Sequence, residues 1–226
     1  LSVEAAGNIN IEDKFPAGDY SAEASVISTG GGTVDLPEPP VSRKTTIDLT
    51  DSGIKSIVFD NFTYTVSYVN GDEPFQGGMT NLELTITGNS KNTAIDWQPA
   101  PESGKVILKN LYIDNSDTSS DFALHMSGYT DQSPTIRETE IGIEGNVELI
   151  HNKYAVCVYE TNAILSGTGS FTASVKGNGS GNNSTVLCTN GNLGVDVKGD
   201  VEIRMEQSGA TDTAKLFGIS GGNVSI

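Results

Sequence analysis

The chain has 226 residues, a formal net charge of −16, 26 glycines, two cysteines and an apolar content of 36%. The acidic balance excludes the basic face that phosphate neutralisation needs, so nucleic acid is not an expected partner. No apolar run approaches the roughly 20 residues of a membrane helix, and two cysteines are too few for a disulfide scaffold. The length fits one large all-β domain or one solenoid with a cap. The low apolar content favours the solenoid, in which each coil points only a few side chains inward.

In chain order, residues 1–36 read as β-like, with Asn8-Ile9-Asn10-Ile11 alternating and a turn at Gly30-Gly31-Gly32. Pro37-Glu38-Pro39-Pro40 then interrupts any strand, because proline cannot donate to a ladder. Residues 1–40 are expected to form an N-terminal β cap with a Pro-rich linker, and 41–226 the solenoid body. The chain starts at Leu1 rather than Met and stops within a repeat, so a trimmed or processed form of a longer protein is expected.

The body is dominated by a returning phrase: a residue, then Asn or Asp, then apolar, any, apolar. Its copies are centred on Phe62, Leu82, Leu111, Val147, Val201 and Val224, with Phe171 in a degenerate member. These apolar centres are expected to point inward. A second column runs through Thr93-Ala94-Ile95-Asp96, Phe122-Ala123-Leu124-His125, Tyr154-Ala155-Val156-Cys157, Thr185-Val186-Leu187-Cys188 and Lys215-Leu216-Phe217-Gly218. Its second residues lie 29, 32, 31 and 30 positions apart. Ile95, Leu124, Val156, Leu187 and Phe217 should face inward. A third strand recurs at Asn162, Asn192 and Asn223, 30 and 31 positions apart, although Asn223 also fits the first column. Three short strands per turn of about 30 residues fit a parallel β-helix, and a propeller blade of roughly 40–45 residues is too long.

The phrases Leu193-Gly194-Val195-Asp196-Val197-Lys198-Gly199-Asp200-Val201-Glu202-Ile203 and Leu165-Ser166-Gly167-Thr168-Gly169-Ser170-Phe171 resemble Gly-rich right-handed parallel β-helix proteins. The likeness is to secreted bacterial surface proteins of the pectin-lyase-like superfamily that bind polysaccharide. It covers 141–226 well and 45–140 loosely. It implies an all-β, right-handed parallel β-helix at an extracellular or cell-surface location, where calcium and acidic polysaccharide often go together.

Several constellations carry a functional and a plain reading side by side. The corner row Asn61, Asn81, Asn110, Asn146, Ser170, Asp200 and Asn223 suits an in-register hydrogen-bonded ladder or, less simply, sugar binding. Beside it lies an outward row of Thr63, Glu83, Tyr112, Glu148, Thr172, Glu202 and Ser225, either a solvated face or part of a binding face. Asp114, Asp117 and Asp121 offer hard oxygens on one turn, a candidate calcium site or simply an acidic loop. The row Asp96, His125, Cys157, Cys188 and Gly218 reads as stacked thiols, a disulfide or a metal site. The small neighbours Ala94, Ala123 and Ala155 are expected to leave that face flat.

Trp97, Tyr112, Tyr129 and Tyr159 could stack on sugar rings, with partial burial at a coil end as the alternative for Trp97. The enzyme case is thin. The arginines are Arg43, Arg137 and Arg204, and neither histidine sits in a nucleophile motif. The expected function is therefore a non-catalytic, extracellular or cell-surface module that binds polysaccharide, with Trp97, Tyr112, Tyr129 and Glu148 as ligand-binding residues. Calcium is a possible aid at Asp114, Asp117 and Asp121. The alternative is a structural or adhesive surface protein that contacts other proteins, with a polysaccharide lyase as the third reading.

Overall fold

A computed structural model of the protein describes residues 43–60, 62–97, 104–128, 138–176, 183–206 and 213–226. The expected cap at 1–40 lies outside them. Every regular element among the described residues is a strand. In chain order they are β1 (Arg43–Asp48), β2 (Ile54–Asp60), β3 (Thr63–Tyr68), β4 (Phe75–Gly78), β5 (Leu82–Ser90) and β6 (Ala94–Trp97). Then follow β7 (Lys105–Asn115), β8 (Phe122–Ser127), β9 (Glu138–His151), β10 (Tyr154–Tyr159), β11 (Asn162–Gly167) and β12 (Ser170–Lys176). The last are β13 (Asn183–Thr189), β14 (Asn192–Val197), β15 (Val201–Glu206), β16 (Thr213–Ile219) and β17 (Val224–Ser225).

The strands form two sheets. The first runs β1-β5-β7-β9-β11-β14-β17, with β12 and β15 continuing beside the far half of β9. The second runs β16-β13-β10-β8-β6-β2-β3-β4. From β5 onward the chain passes from one sheet to the other and returns, each strand pairing parallel with its counterpart one pass earlier. The long strands β5, β7 and β9 each turn a corner partway along. In later passes that corner separates two strands, so β11 with β12, and β14 with β15, retrace the path of β9.

The core lies between the sheets and follows from strand alternation. Leu82, Leu84, Leu111, Ile113, Val147, Leu149 and Phe171 bury from the first sheet, and Ile95, Leu124, Val156 and Leu187 from the second. The latter four are in direct register with one another and with Phe217. Phe217 remains 40% exposed because β16 is the last strand of its sheet. Ala123 and Ala155 also belong to the core cluster, beside Leu124 and Val156. Two consecutive positions are buried there, so these alanines do not flatten the outer face.

The first copy of the repeated phrase behaves differently. Residues 54–78 form an antiparallel meander, β2 with β3 and β3 with β4, on the edge of the second sheet. Phe62 occupies the β2–β3 turn and is 51% exposed rather than inward. Tyr64 and Val66 fill the core from β3 instead.

The corners are held by amide and hydroxyl ladders. The Asn110 Oδ1 accepts from the Asn146 N–H (3.3 Å), and the Ser170 Oγ from the Asp200 N–H (3.2 Å). The Asn162 Oδ1 accepts from the Asn192 side chain (2.8 Å). The Asn192 Oδ1 in turn accepts from the Asn223 N–H (3.0 Å). Val224 pairs with Leu193, so Asn223 belongs to the third-strand row. Asn81 and Asn110 have φ of 52° and 45°, a left-handed region that asparagine tolerates better than most residues.

One buried polar group stands at the far end of β9. His151 is fully buried; its Nδ1 accepts the Lys153 N–H (2.8 Å). The proton therefore sits on Nε2, which donates to the Ser120 Oγ at 3.1 Å. Burial lowers the imidazole pKa from 6.5 to about 4, against the opposing pull of the Asp121 charge.

Two outcomes follow from these features. Asn110→Gly keeps the corner backbone but loses the acceptor, at about 1 kcal/mol. Asn110→Ala adds left-handed strain of about 1–2 kcal/mol more, and denaturant midpoints should rank them so. For His151, the unfolded chain binds the extra proton between about pH 6.5 and 4. Its contribution to stability is complete above pH 6.5 and is lost as pH falls towards 4, by about 3 kcal/mol. His151→Gln should flatten that part of a stability-versus-pH curve. An unchanged slope would show that the imidazole is not the group responsible.

Candidate functional site

The outer face of the first sheet collects the sequence-derived candidates that the fold brings together. Along β7, Leu111, Ile113 and Asn115 are buried, which turns Tyr112 and Asp114 outward. Tyr112 lies in register with Glu148 of β9, Glu148 with Thr172 of β12, and Thr172 with Glu202 of β15. Four members of the expected outward row are thus true neighbours. The others are not. Glu83 pairs with Lys44 at 2.9 Å, Thr63 lies opposite Gly78, and Ser225 lies beside Gly194. The position next to Tyr112 on β5 is Asn89, while Glu83 lies beside Lys105 near the start of that strand.

A second polar group sits next to this row. The Asp114 Oδ2 accepts from the Lys176 Nζ (2.9 Å), and its Oδ1 accepts from the Ser116 Oγ (2.6 Å) and N–H (3.1 Å). Burial pushes the Asp114 carboxyl up, but the hydrogen bonds from Ser116 and Lys176 together outweigh it and leave its pKa below the ordinary value. The same ion pair raises Lys176. The Tyr112 hydroxyl lies 3.4 Å from the Asp114 Oδ2, and burial followed by the Asp114 charge raises its pKa. At physiological pH this patch therefore presents a neutral phenol, carboxylates and one fixed ammonium. At its far side Arg204 is ion-paired with Glu202 on its own strand.

The remaining candidates are distributed elsewhere. Trp97 is 1% exposed and stacked on Phe59, with centroids 4.3 Å apart. It is a core residue and offers no ring face to a ligand. Tyr129 and Arg137 lie outside the described residues. The Asp121 Oδ1 accepts from the Lys153 Nζ (2.7 Å), and Asp117 is exposed in its turn. Among the described residues no group of three or more His, Cys, Asp or Glu side chains is arranged to hold a metal ion. Arg43 donates to the Thr80 carbonyl (3.1 Å) beside the edge of the first sheet.

The outer face of the second sheet carries the other row. Asp96, His125, Cys157, Cys188 and Gly218 stand in register on five successive strands, as their spacing predicts. The His125 Nδ1 is 2.7 Å from the Asp96 Oδ1, and the ring stacks on Phe122 at 4.7 Å. Phe122 and Tyr154 are aromatic neighbours on this face, with the Lys153 Nζ 5.3 Å from the Tyr154 ring centroid. Neither is among the sequence-derived candidates. Their place at the head of the second column was the available signal.

A shallow hollow of about 640 Å³ lies over Ile164 and Gly194, with Glu138, Asp196 and Asn192 on its walls. No helix among the described residues is long and apolar enough to cross a membrane. No protein-family model, curated protein or solved structure matches the chain.

Proposed function

We propose that the described strands form one right-handed parallel β-helix, and that it is a non-catalytic extracellular or cell-surface module for polysaccharide. The observation that carries this reading is the juxtaposition of Tyr112 and Glu148 on one half-buried outer face, extended by Thr172 and Glu202. Strand spacing of about 4.8 Å sets these groups in an even, open line. Such a line suits an extended chain of sugars, with the tyrosine as an apolar platform and the carboxylates as acceptors for hydroxyl groups. The Asp114–Lys176 pair fixes the polar edge of the same face.

Calcium assistance at Asp114, Asp117 and Asp121 belongs to the same proposal. The ammonium groups of Lys176 and Lys153 stand at two of these carboxylates, and a calcium ion would have to compete with them. A second reading, a structural or adhesive surface protein, draws on Leu216, Phe217 and Ile219, which β16 leaves 40–50% exposed. The lyase reading has less support, because Arg204 is paired with Glu202.

Affinity electrophoresis through gels containing neutral or acidic polysaccharide, with calcium and with chelator, tests the proposal. Retardation by one glycan without new chain ends is expected. Tyr112→Ala should weaken it about tenfold, the effect of losing a single aromatic anchor. Glu148→Gln should separate hydroxyl recognition from charge. Trp97 emission should not respond to the glycan. If no glycan retards the wild-type protein, the polysaccharide reading fails and the protein-contact reading takes its place.

A further inference from the structure

The row on the second sheet places two thiols side by side. Cys157 and Cys188 are direct register partners on β10 and β13, both free and half-buried. His125 is the register partner of Cys157 on its other side, and Asp96 holds the His125 Nδ1 at 2.7 Å. Because that nitrogen faces a carboxylate, the ring's Nε2 is left as its basic atom. The order along the sheet is carboxylate, imidazole, thiol, thiol. The charges of Asp121 and Lys153 also act on Cys157.

We propose that Cys157 and Cys188 are a redox-active dithiol that closes a reversible disulfide between adjacent passes of the chain, with His125, positioned by Asp96, as the local proton acceptor. The co-reactant is a small disulfide of the glutathione class. The Cys188 thiolate attacks one sulfur of that disulfide, forming a mixed disulfide and releasing one glutathione thiolate. Cys157 then gives its proton to His125 and attacks the Cys188 sulfur, releasing the second. The protein loses two electrons, the small disulfide gains two, and the two thiol protons end on two glutathione molecules.

The order of attack follows from the environment. A hydrogen bond from Cys157 holds the Cys188 thiol below its ordinary value, against the opposing effect of burial, which favours Cys188 as the attacking thiolate. The same hydrogen bond and burial raise Cys157, which suits the resolving position. Reversibility follows from the ladder. In-register parallel strands hold equivalent atoms about 4.8 Å apart. A disulfide prefers a Cβ separation near 3.8 Å. Closing the bond therefore pulls the strands together locally, and strained disulfides are the readily reduced ones. This inference does not rest on the polysaccharide reading.

The test uses the whole chain, glutathione disulfide as oxidant, thiol counting and intact mass. Both thiols should disappear together in a monomer, leaving no bound glutathione, and reduced glutathione should restore them. Cys157→Ser should stop at a glutathione adduct on Cys188, whereas Cys188→Ser should react at least tenfold more slowly. His125→Gln should slow closure by roughly tenfold without moving the final redox equilibrium. Wild-type thiols that stay free, glutathione retained on both, or a bond that reduced glutathione cannot open would each overturn the proposal. An equilibrium shift in His125→Gln as large as its rate effect would assign the histidine a purely structural part.

Discussion

In-register parallel pairing between successive passes of the chain is the constraint on which everything else depends. Each strand finds its hydrogen-bond partner in the equivalent strand one pass away, so equivalent residues must stack. A slip of one residue would turn Ile95, Leu124, Val156 and Leu187 out of the core and Asp96, His125, Cys157 and Cys188 into it. Such a slip would strip apolar burial from every strand and bury charge in its place, which is why the register is firmly specified. The corner amides reinforce it, since each Asn oxygen can reach only the N–H of the correct neighbour.

This constraint explains what could be read from the sequence. Spacings near 30 residues in the second column are backbone pairing distances seen along the chain, and they carried over directly. The failures share a cause as well. Phe62 sits in a phrase much like the one at Leu111, yet its neighbours form an antiparallel meander; the phrase alone does not say which strand lies alongside. Ala123 and Ala155 break the two-residue alternation, since each is buried together with the residue that follows it, which a strict period cannot represent. Glu83 fell out of the outward row because β5 sets it beside Lys105, while Asn89 farther along the strand is the partner of Tyr112; likeness between two phrases does not fix which copies align. The Tyr112–Glu148 contact could be read, since it follows the repeat. The Asp114–Lys176 pair could not, because it spans a full intervening strand.

Stacking also dictates the style of chemistry available. A sheet face repeats its side chains in lines and does not converge them on a point. The first sheet shows this with a phenol and carboxylates in one line, the second with a carboxylate, an imidazole and two thiols. Lines of this kind favour extended partners and reactions between immediate neighbours. Enclosed small-molecule pockets need convergence from several directions.

The antiparallel meander has a consequence for solubility. β4 is only four residues long, and Gly77 lies so closely under the Tyr64 ring that no Cβ would fit there. On the same side of the molecule β1 carries exposed Arg43 and Lys44. A strand arriving at these edges meets a short, occluded or charged template, which is how sheet proteins blunt unwanted pairing. At the opposite side β16 offers seven residues of regular ladder with Leu216, Phe217 and Ile219 exposed. Among the described residues, the β16 edge is therefore a better template for an added strand than the β4 and β1 edges.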